Sequence, residues 1–189
     1  MAVNPGETPV ADLDEHGLID ACLADRPGAF DLIVERHRKP VYQLCYRFVG
    51  NHEDASDLSQ DVFLRAYRGL KSFRGGSSLK TWLYRIGVNV CLNRVAVNKP
   101  ITEDIDARQH VDTTHESPAD RVLRAERAVQ VRAAIAKLPP KQRSTLVLRM
   151  YQELSHEEIA GVLGSSVGAV KANFFHALGN LKKILGEAS

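Results

Sequence analysis

The chain has 189 residues, of which 44% are hydrophobic and 25% are charged. This balance is typical of a globular protein rather than a disordered one, and the length allows one ordinary domain or two small ones. No apolar run approaches the roughly 20 residues needed to cross a bilayer, and residues 1–9 lack the basic flank and apolar stretch of a signal peptide. We therefore expect a cytoplasmic protein with no membrane insertion.

The net charge of +2 hides an uneven distribution of charge along the chain. Residues 62–102 contain eight Lys or Arg and no acid, and residues 121–150 contain eight and a single acid. Residues 103–120, between them, carry six acids and one base. Two basic blocks separated by an acidic spacer suggest two surfaces for a polyanion. Solvated basic helix faces would give the same pattern.

Hydrophobic periodicity predicts helices through most of the chain, and no segment shows the alternating pattern of a strand. Pro40 should kink or split the second helix. The apolar face of the third helix includes Phe63 and Tyr67. In the first half, the predicted helices cover about residues 15–24, 28–49, 53–70 and 79–97. We expect them to form one small domain over residues 12–97.

The periodicity disappears over residues 98–118, where Asp, Thr, His and Pro predominate, and this segment is predicted to be a flexible linker. Helical pattern resumes over about residues 120–137. A further helix follows Pro139 and Pro140 and ends near Tyr151. With a second domain over residues 119–186, the predicted fold class is all-α: two small helical domains joined by a flexible linker.

The C-terminal segment carries the pattern of a helix-turn-helix. Ser155 and Glu158 have capping-box spacing at the start of a short helix, and Gly164 suits the tight turn that ends it. Ser165 or Ser166 can cap a second, longer helix. Its predicted buried seam is Val167, Val170, Phe174, Leu178, Leu181 and Leu185, and its open side is Gly168, Lys171, Ala172, Phe175 and His176.

This arrangement is the plan of the DNA-binding helix-turn-helix, whose second helix enters the major groove. An ordinary helical hairpin in a bundle gives a similar pattern. Small residues near the start of the second helix favour DNA binding, because Gly168, Ala169 and Ala172 permit close approach to a backbone.

No catalytic or cofactor-binding motif is found in the sequence. Residues 156–160 resemble the His-Glu-x-x-His motif of zinc proteases, but Ala160 stands in the place of the second histidine. Cys22, Cys45 and Cys91 match no metal-binding spacing and are expected to be buried, reduced thiols. We therefore expect no enzyme activity, no cofactor and no metal.

Three stretches, in this order, resemble the extracytoplasmic-function sigma factors, the minimal sigma subunits of bacterial RNA polymerase. Residues 54–66, DASDLSQDVFLRA, look like the polymerase-binding helix of region two. Residues 73–89, FRGGSSLKTWLYRIGVN, are similar to the stretch that recognises and melts the start-proximal promoter element. Residues 138–143, LPPKQR, and the helix-turn-helix after them look like region four, which recognises the upstream element. The resemblance spans roughly residues 25–185.

The resemblance implies a role for each matched segment. The polymerase-binding residues would be Asp57, Gln60, Asp61, Phe63, Leu64 and Arg65. The DNA-binding residues of region two would be Phe73, Arg74, Lys80, Trp82, Tyr84, Arg85, Asn89 and Arg94, since aromatic rings stack on bases and cations hold phosphates. Those of region four would be Arg143, Ser166, Gly168, Lys171, Ala172, Asn173, Phe175 and His176. Core packing is an alternative for Phe63 and Trp82.

The recognition helix departs from the pattern of the family. It has Ala172, Asn173 and His176 where the family usually carries arginines and a hydroxyl residue. The sequence preference at the upstream element therefore stays open.

The resemblance also implies partners and a function. The partners would be core RNA polymerase, promoter DNA and an anti-sigma factor that holds the protein inactive, and the function would be promoter-specific transcription initiation. Three other interpretations remain open at this point, and one of them is a nonfunctional or diverged homologue of the family, given the unusual recognition helix. A stand-alone helix-turn-helix regulator would bind DNA without polymerase. A protein-interaction module would show no salt-dependent DNA association.

Overall fold

The computed structural model describes residues 8–73, 75–97 and 118–186, and every regular element in these ranges is a helix. The first four α-helices are α1 (Glu15–Leu23), α2 (Ala29–Val49), α3 (His52–Gly69) and α4 (Leu79–Val97). The last four are α5 (Pro118–Ala136), α6 (Pro140–Tyr151), α7 (His156–Leu163) and α8 (Val167–Gly186). Short 3-10 helices cover Val10–Asp12 and Leu70–Ser72. The all-α prediction is confirmed, and the predicted linker lies outside the described residues except for Pro118.

Several helix ends carry residues that favour a helix start or stop at that position. Pro140 opens α6 as its first residue, and Gly50 ends α2 in the left-handed conformation, at φ 80°. Ser78 caps α4, because its hydroxyl accepts a hydrogen bond from the Thr81 amide at 3.1 Å. Ser166 accepts from the Ala169 amide in the same way at the start of α8.

The sequence predicts a kink or a split at Pro40, but the structure shows no split. α2 is a single helix of 21 residues with Pro40 inside it. Val41, Leu44 and Cys45 lie within the next five residues and are fully buried. Their packing fixes the second half of α2 against its neighbours, and this outweighs the loss of one main-chain hydrogen bond at the proline.

The N-terminal group of helices has its core where α2, α3 and α4 pack on one another. Gly87 of α4 permits the close approach of α4 to α2, since a Cβ atom added there would lie 2.9 Å from Leu44 Cδ2. The fully buried side chains at the centre of this core are Ile33, Leu44, Phe48, Val62, Leu83 and Cys91.

In the C-terminal group, α6 and α7 pack against α8, and α5 also contacts α8. Its core contains Val147, Leu148, Ile159, Val162, Val170 and Ala177. The two groups of helices are the two domains that the sequence predicts, here called the N-terminal and C-terminal domains. They are packed together: α7 lies on α4, α5 and α6 contact α2, and the buried side chains of both form one contiguous cluster.

Two residues assigned to buried faces are exposed instead. Tyr67 is 61% exposed, and its ring lies edge-on to Phe30 at the rim of the core, with a centroid distance of 5.0 Å. Leu178 is 45% exposed because its neighbour Ala177 occupies the buried position on α8. In both cases the side chain is one position away from the centre of the apolar stripe.

The contact at Gly87 predicts a stability difference between two glycine substitutions. Gly87→Ala should lower the free energy of unfolding by about 1–2 kcal/mol, because overpacking against Leu44 outweighs the better helix propensity of alanine. The matched control is Gly179→Ala, since Gly179 lies in α8 with no atom within 4 Å of an added Cβ. It should be neutral or stabilising. Thermal and urea denaturation followed by circular dichroism compares them, and equal stabilities would contradict the packing argument.

Candidate nucleic-acid interface

The outer face of α3 carries an exposed apolar residue among charged and polar ones. Leu64 is 56% exposed, whereas Phe63 beside it is 8% exposed and packs in the core. Asp57 and Gln60 are exposed on the preceding turns. The Arg65 guanidinium forms a salt bridge of 2.9 Å with Asp61, four residues earlier. The structure thus favours core packing for Phe63 and makes Leu64 the apolar residue available to a partner.

A groove of about 730 Å³ lies beside this face, between the α1–α2 turn and the C-terminal end of α3. Phe30 and Tyr67 line one side of it, and Arg68 and Lys71 contribute positive charge. Leu23, also part of the lining, is partly exposed. The groove therefore continues the exposed surface of α3 to the C-terminal end of α1.

The start of α4 is anchored from two sides. The Leu79 amide, which has no partner within its own helix, donates to Glu15 Oε1 at 2.8 Å. Phe73, which precedes the loop, and Trp82 of α4 form an aromatic pair with ring centroids 5.1 Å apart. Both rings are half-buried. Arg74 lies outside the described residues.

Along α4 the predicted DNA-binding residues divide into exposed and buried ones. Lys80, Arg85 and Asn89 are exposed. Tyr84 is 1% exposed, and its hydroxyl donates to Gln152 Oε1 of the C-terminal domain at 2.6 Å. Burial raises the pKa of the Tyr84 phenol to about 12. The Lys80 ammonium lies 5.6 Å from the centre of the Tyr84 ring.

Arg94, near the end of α4, is held by the first turn of α3. Its guanidinium donates to Asp54 Oδ1 and forms an ion pair with it. The amide of Asn51 and the guanidinium of Arg94 both lower the pKa of the Asp54 carboxyl. The positive charge that the sequence assigns to DNA binding is therefore partly neutralised within the domain.

The helix-turn-helix has the geometry that its sequence predicts. Ser155 and Glu158 form a reciprocal capping box, and the hydrogen bonds from Ser155 lower the pKa of the Glu158 carboxyl. Gly164 ends α7 in the left-handed conformation, at φ 59°. α8 then exposes the predicted open side: Ser166, Gly168, Lys171, Ala172, Phe175 and His176, with Asn173 half-buried. Phe175 is 75% exposed.

Arg143 is placed differently from the other predicted DNA-binding residues. It is only 5% exposed, and it donates to the main-chain carbonyl of Phe48 in the N-terminal domain. Its guanidinium also lies 5.5 Å from the centre of the Phe48 ring. Burial lowers the pKa of Arg143.

Three residues that contribute to these surfaces carry no signal of that role in the sequence. Glu15 caps α4, Gln152 accepts from Tyr84, and the Gly161 carbonyl accepts from Arg85. Each contact joins residues at least 64 positions apart. Local patterns of residues therefore do not point to them.

Metal-binding and membrane-spanning features are absent from the described ranges. Residues 8–73, 75–97 and 118–186 contain no group of three or more His, Cys, Asp or Glu arranged to hold a metal ion. Within them, no helix combines the length and apolar character that spanning a bilayer requires. Cys45 and Cys91 are buried free thiols, and Cys22 is half-buried.

Two family matches coincide with these surfaces. The Sigma-70 region 2 family matches residues 33–100, which include α3 and α4. The Sigma-70 region 4 family matches residues 128–181, which include the helix-turn-helix. The fold and these matches define the class of protein: it is a sigma factor, a transcription initiation factor that binds core RNA polymerase and promoter DNA.

Full-length relatives narrow the class to one family. The chain is 36% identical over 180 residues to the RNA polymerase sigma-H factor of Pseudomonas aeruginosa, covering 90% of this chain and 93% of the relative. It is 35% identical over 166 residues to the ECF RNA polymerase sigma factor SigW of Bacillus subtilis, covering 83% and 89%. The solved structure of CnrH, in complex with the cytosolic domain of CnrY, matches with a TM-score of 0.68 and 26% identity over 93% of this chain and 99% of CnrH. The chain belongs to the extracytoplasmic-function sigma factors and directs promoter-specific transcription initiation. The alternative of a stand-alone helix-turn-helix regulator is therefore not favoured.

The Asp54–Arg94 pair predicts that one substitution strengthens DNA binding. In Asp54→Asn, Arg94 loses its counter-charge and becomes available to a phosphate. The slope of log affinity against log salt should then steepen by about 0.9. Fluorescence anisotropy with duplex DNA at several salt concentrations measures this. Glu53→Gln is the matched control, because Glu53 is an exposed carboxylate on the same turn. Equal slopes for the two variants would show that the salt dependence of DNA affinity follows the net charge and not the release of Arg94.

Proposed function

We propose that three helices have separate roles in transcription initiation. α3 binds core RNA polymerase through its exposed face, α4 with the preceding loop captures the start-proximal promoter element, and α8 binds the upstream element in the major groove. The observation that carries this proposal is the exposure of α8. Its predicted DNA-facing residues share one open side, behind a capped α7 and a left-handed Gly164, as groove insertion requires.

The α8 surface favours a specific kind of DNA contact. Lys171 is the one cation among its predicted contact residues, while Ala172 and Phe175 are apolar. Apolar side chains contact the methyl group of thymine, whereas cations position the helix on phosphates. We infer that α8 contributes sequence preference more than electrostatic affinity. The basic residues of α4 and α5 would then supply much of the electrostatic affinity for DNA.

The chain acts by binding rather than by catalysis in this proposal. Binding energy from the α3 face places it on polymerase, and the aromatic and cationic groups of region two capture unpaired bases and phosphates. It does so in the cytoplasm, where RNA polymerase acts. A protein partner is also proposed. The related CnrH forms a complex with the cytosolic domain of CnrY, and we propose that this chain also binds a protein partner, an anti-sigma factor that holds it inactive.

Run-off transcription tests the proposed function. Purified core polymerase is incubated with pooled genomic promoter fragments, with and without the protein. We expect discrete transcripts only when the protein is present, and their start sites locate both promoter elements. Absence of new transcripts, together with absence of binding to core polymerase, would contradict the assignment of these surfaces.

The exposed apolar residue of α3 provides a sharper test. Leu64→Asp should weaken binding of core polymerase by at least tenfold, because a charge at the centre of a protein interface is desolvated without a partner. Stability should change little, since Leu64 is exposed. The matched control is Val122→Asp, at a 60% exposed position on α5. Polymerase binding by the two variants is compared in a pull-down or by surface plasmon resonance, and equal binding would remove Leu64 from the interface.

A further inference from the structure

Two of the three cysteines meet in the core of the N-terminal domain. Cys45 of α2 and Cys91 of α4 are both 0% exposed, and they belong to the same apolar cluster. Their side chains interact through a hydrogen bond across the contact between the two helices. Neither thiol takes part in the proposed binding of polymerase or DNA. The core thus contains two facing nucleophiles that the proposed function does not use.

The close packing of α2 on α4 brings the two thiols together. Gly87 lies one helical turn before Cys91, and a Cβ atom added there would lie 2.9 Å from Cδ2 of Leu44, the residue next to Cys45. The two helices therefore approach each other closely at the level of the pair. A disulfide needs such an approach, because its two Cα atoms lie about 4–7 Å apart.

A cation lies beside the pair. The guanidinium of Arg143 is 5% exposed and interacts electrostatically with Cys91, and its Nε atom has no hydrogen-bond partner among the described residues. The hydrogen bond with Cys45 and burial raise the pKa of the Cys91 thiol, whereas Arg143 acts to lower it. Because the thiolate is the form that reacts with oxidants, Cys91 has a cation nearby that stabilises its reactive form.

We propose that Cys45 and Cys91 are a redox-sensitive site, which hydrogen peroxide converts into a disulfide that tethers α4 to α2 and lowers the transcription activity of the protein. The Cys91 thiolate attacks peroxide, so that an S–O bond forms, the O–O bond breaks and hydroxide leaves. The Cys45 thiol then attacks the sulfenic sulfur, so that the S–S bond forms and water leaves. With the proton of Cys91 taken up by hydroxide, two thiols and one peroxide give one disulfide and two waters.

The burial of the pair determines when it reacts. Both thiols are enclosed, so peroxide reaches them through local opening of the core and not at the surface of the packed domain. Intracellular thiols can reduce the disulfide again by thiol–disulfide exchange, which makes the modification reversible. Disulfides of cytosolic proteins are typically transient and regulatory in this way.

The disulfide would displace α4. An S–S bond is about 2 Å long, which is shorter than any contact between unbonded sulfur atoms. The helices are already in tight contact at Gly87, so α4 tilts about that contact instead of moving toward α2 as a whole. The tilt moves Lys80 and Asn89, which are exposed on the same helix and assigned to DNA. This effect on activity rests on the proposed function, since it takes the role of α4 from there.

Peptide mapping tests the chemistry of the site. The full-length variant Cys22→Ala keeps only the pair, and trypsin places the two remaining cysteines in different peptides. The native protein is treated with hydrogen peroxide, alkylated and digested. We expect a linked pair of peptides containing Cys45 and Cys91, with the mass of the protein lower by two hydrogens, and we expect reductant to separate them. Unreacted thiols, or sulfinic acids without the link, would overturn the proposal.

Run-off transcription tests the effect of the bond. Peroxide-treated Cys22→Ala is freed of peroxide before core polymerase is added, and its transcripts are compared with those of the same protein after reduction. We expect oxidation to lower the yield about threefold or more, because small displacements of contact residues are costly. The matched control Cys22→Ala/Cys45→Ala cannot form the bond and should give equal yields in both states. An equal loss in this control, or a linked protein that transcribes as the reduced form does, would overturn the proposal.

The two proposals fail in different measurements. Reduced protein that yields no transcripts with core polymerase contradicts the proposed function. The linked peptides are detected without polymerase or DNA, so their formation is judged independently of that function. A reduced protein that transcribes but never forms the link would leave the proposed function intact and remove the redox site.

Discussion

Much of this structure depends on how α4 is buried. One side of the helix packs into the N-terminal core through Leu83, Val88 and Cys91, at a spacing so close to α2 that a Cβ atom at position 87 would lie 2.9 Å from Leu44 Cδ2. Another side meets α7 of the C-terminal domain. Arg85 lies on the side that meets α7, and Lys80 and Asn89 are exposed. The helix proposed to capture DNA is thus also a structural element of both the core and the domain interface, and any change in its position affects all three.

The sequence predicts the secondary structure well because the signals are local. The capping box at Ser155, the left-handed turn at Gly164 and the first-turn proline Pro140 each act within a few residues, and each is found as expected. The open side of α8 follows from helical periodicity in the same way. Pro40 shows the limit, since tertiary packing of the following residues keeps α2 continuous where local chemistry favours a break.

What the sequence does not reveal is which polar residues are buried between the domains. The resemblance assigns Arg143 to DNA binding, and arginine is usually exposed, yet this side chain is buried against a carbonyl 95 residues away. Tyr84 and Gln152 are a similar case, with a separation of 68 residues. Periodicity identifies the apolar face of a helix, but it contains no information about a second domain that covers the opposite face. The exposure of Tyr67 and Leu178, at the edges of apolar helix faces, likewise depends on how the helices pack and not on the local sequence.

The exposed face of α3 has a consequence for the order of events in the cell. Leu64 and the Asp61–Arg65 pair stay accessible while Tyr84 and Arg143 are covered. In this arrangement the surface proposed for polymerase is accessible, as is the open side of α8, whereas two of the predicted DNA contacts are covered. Genomic DNA presents millions of weak, non-specific sites that compete for any basic protein. Because the α3 surface proposed for polymerase is accessible without any rearrangement of the two domains, the protein can join the enzyme before it searches those sites for a promoter.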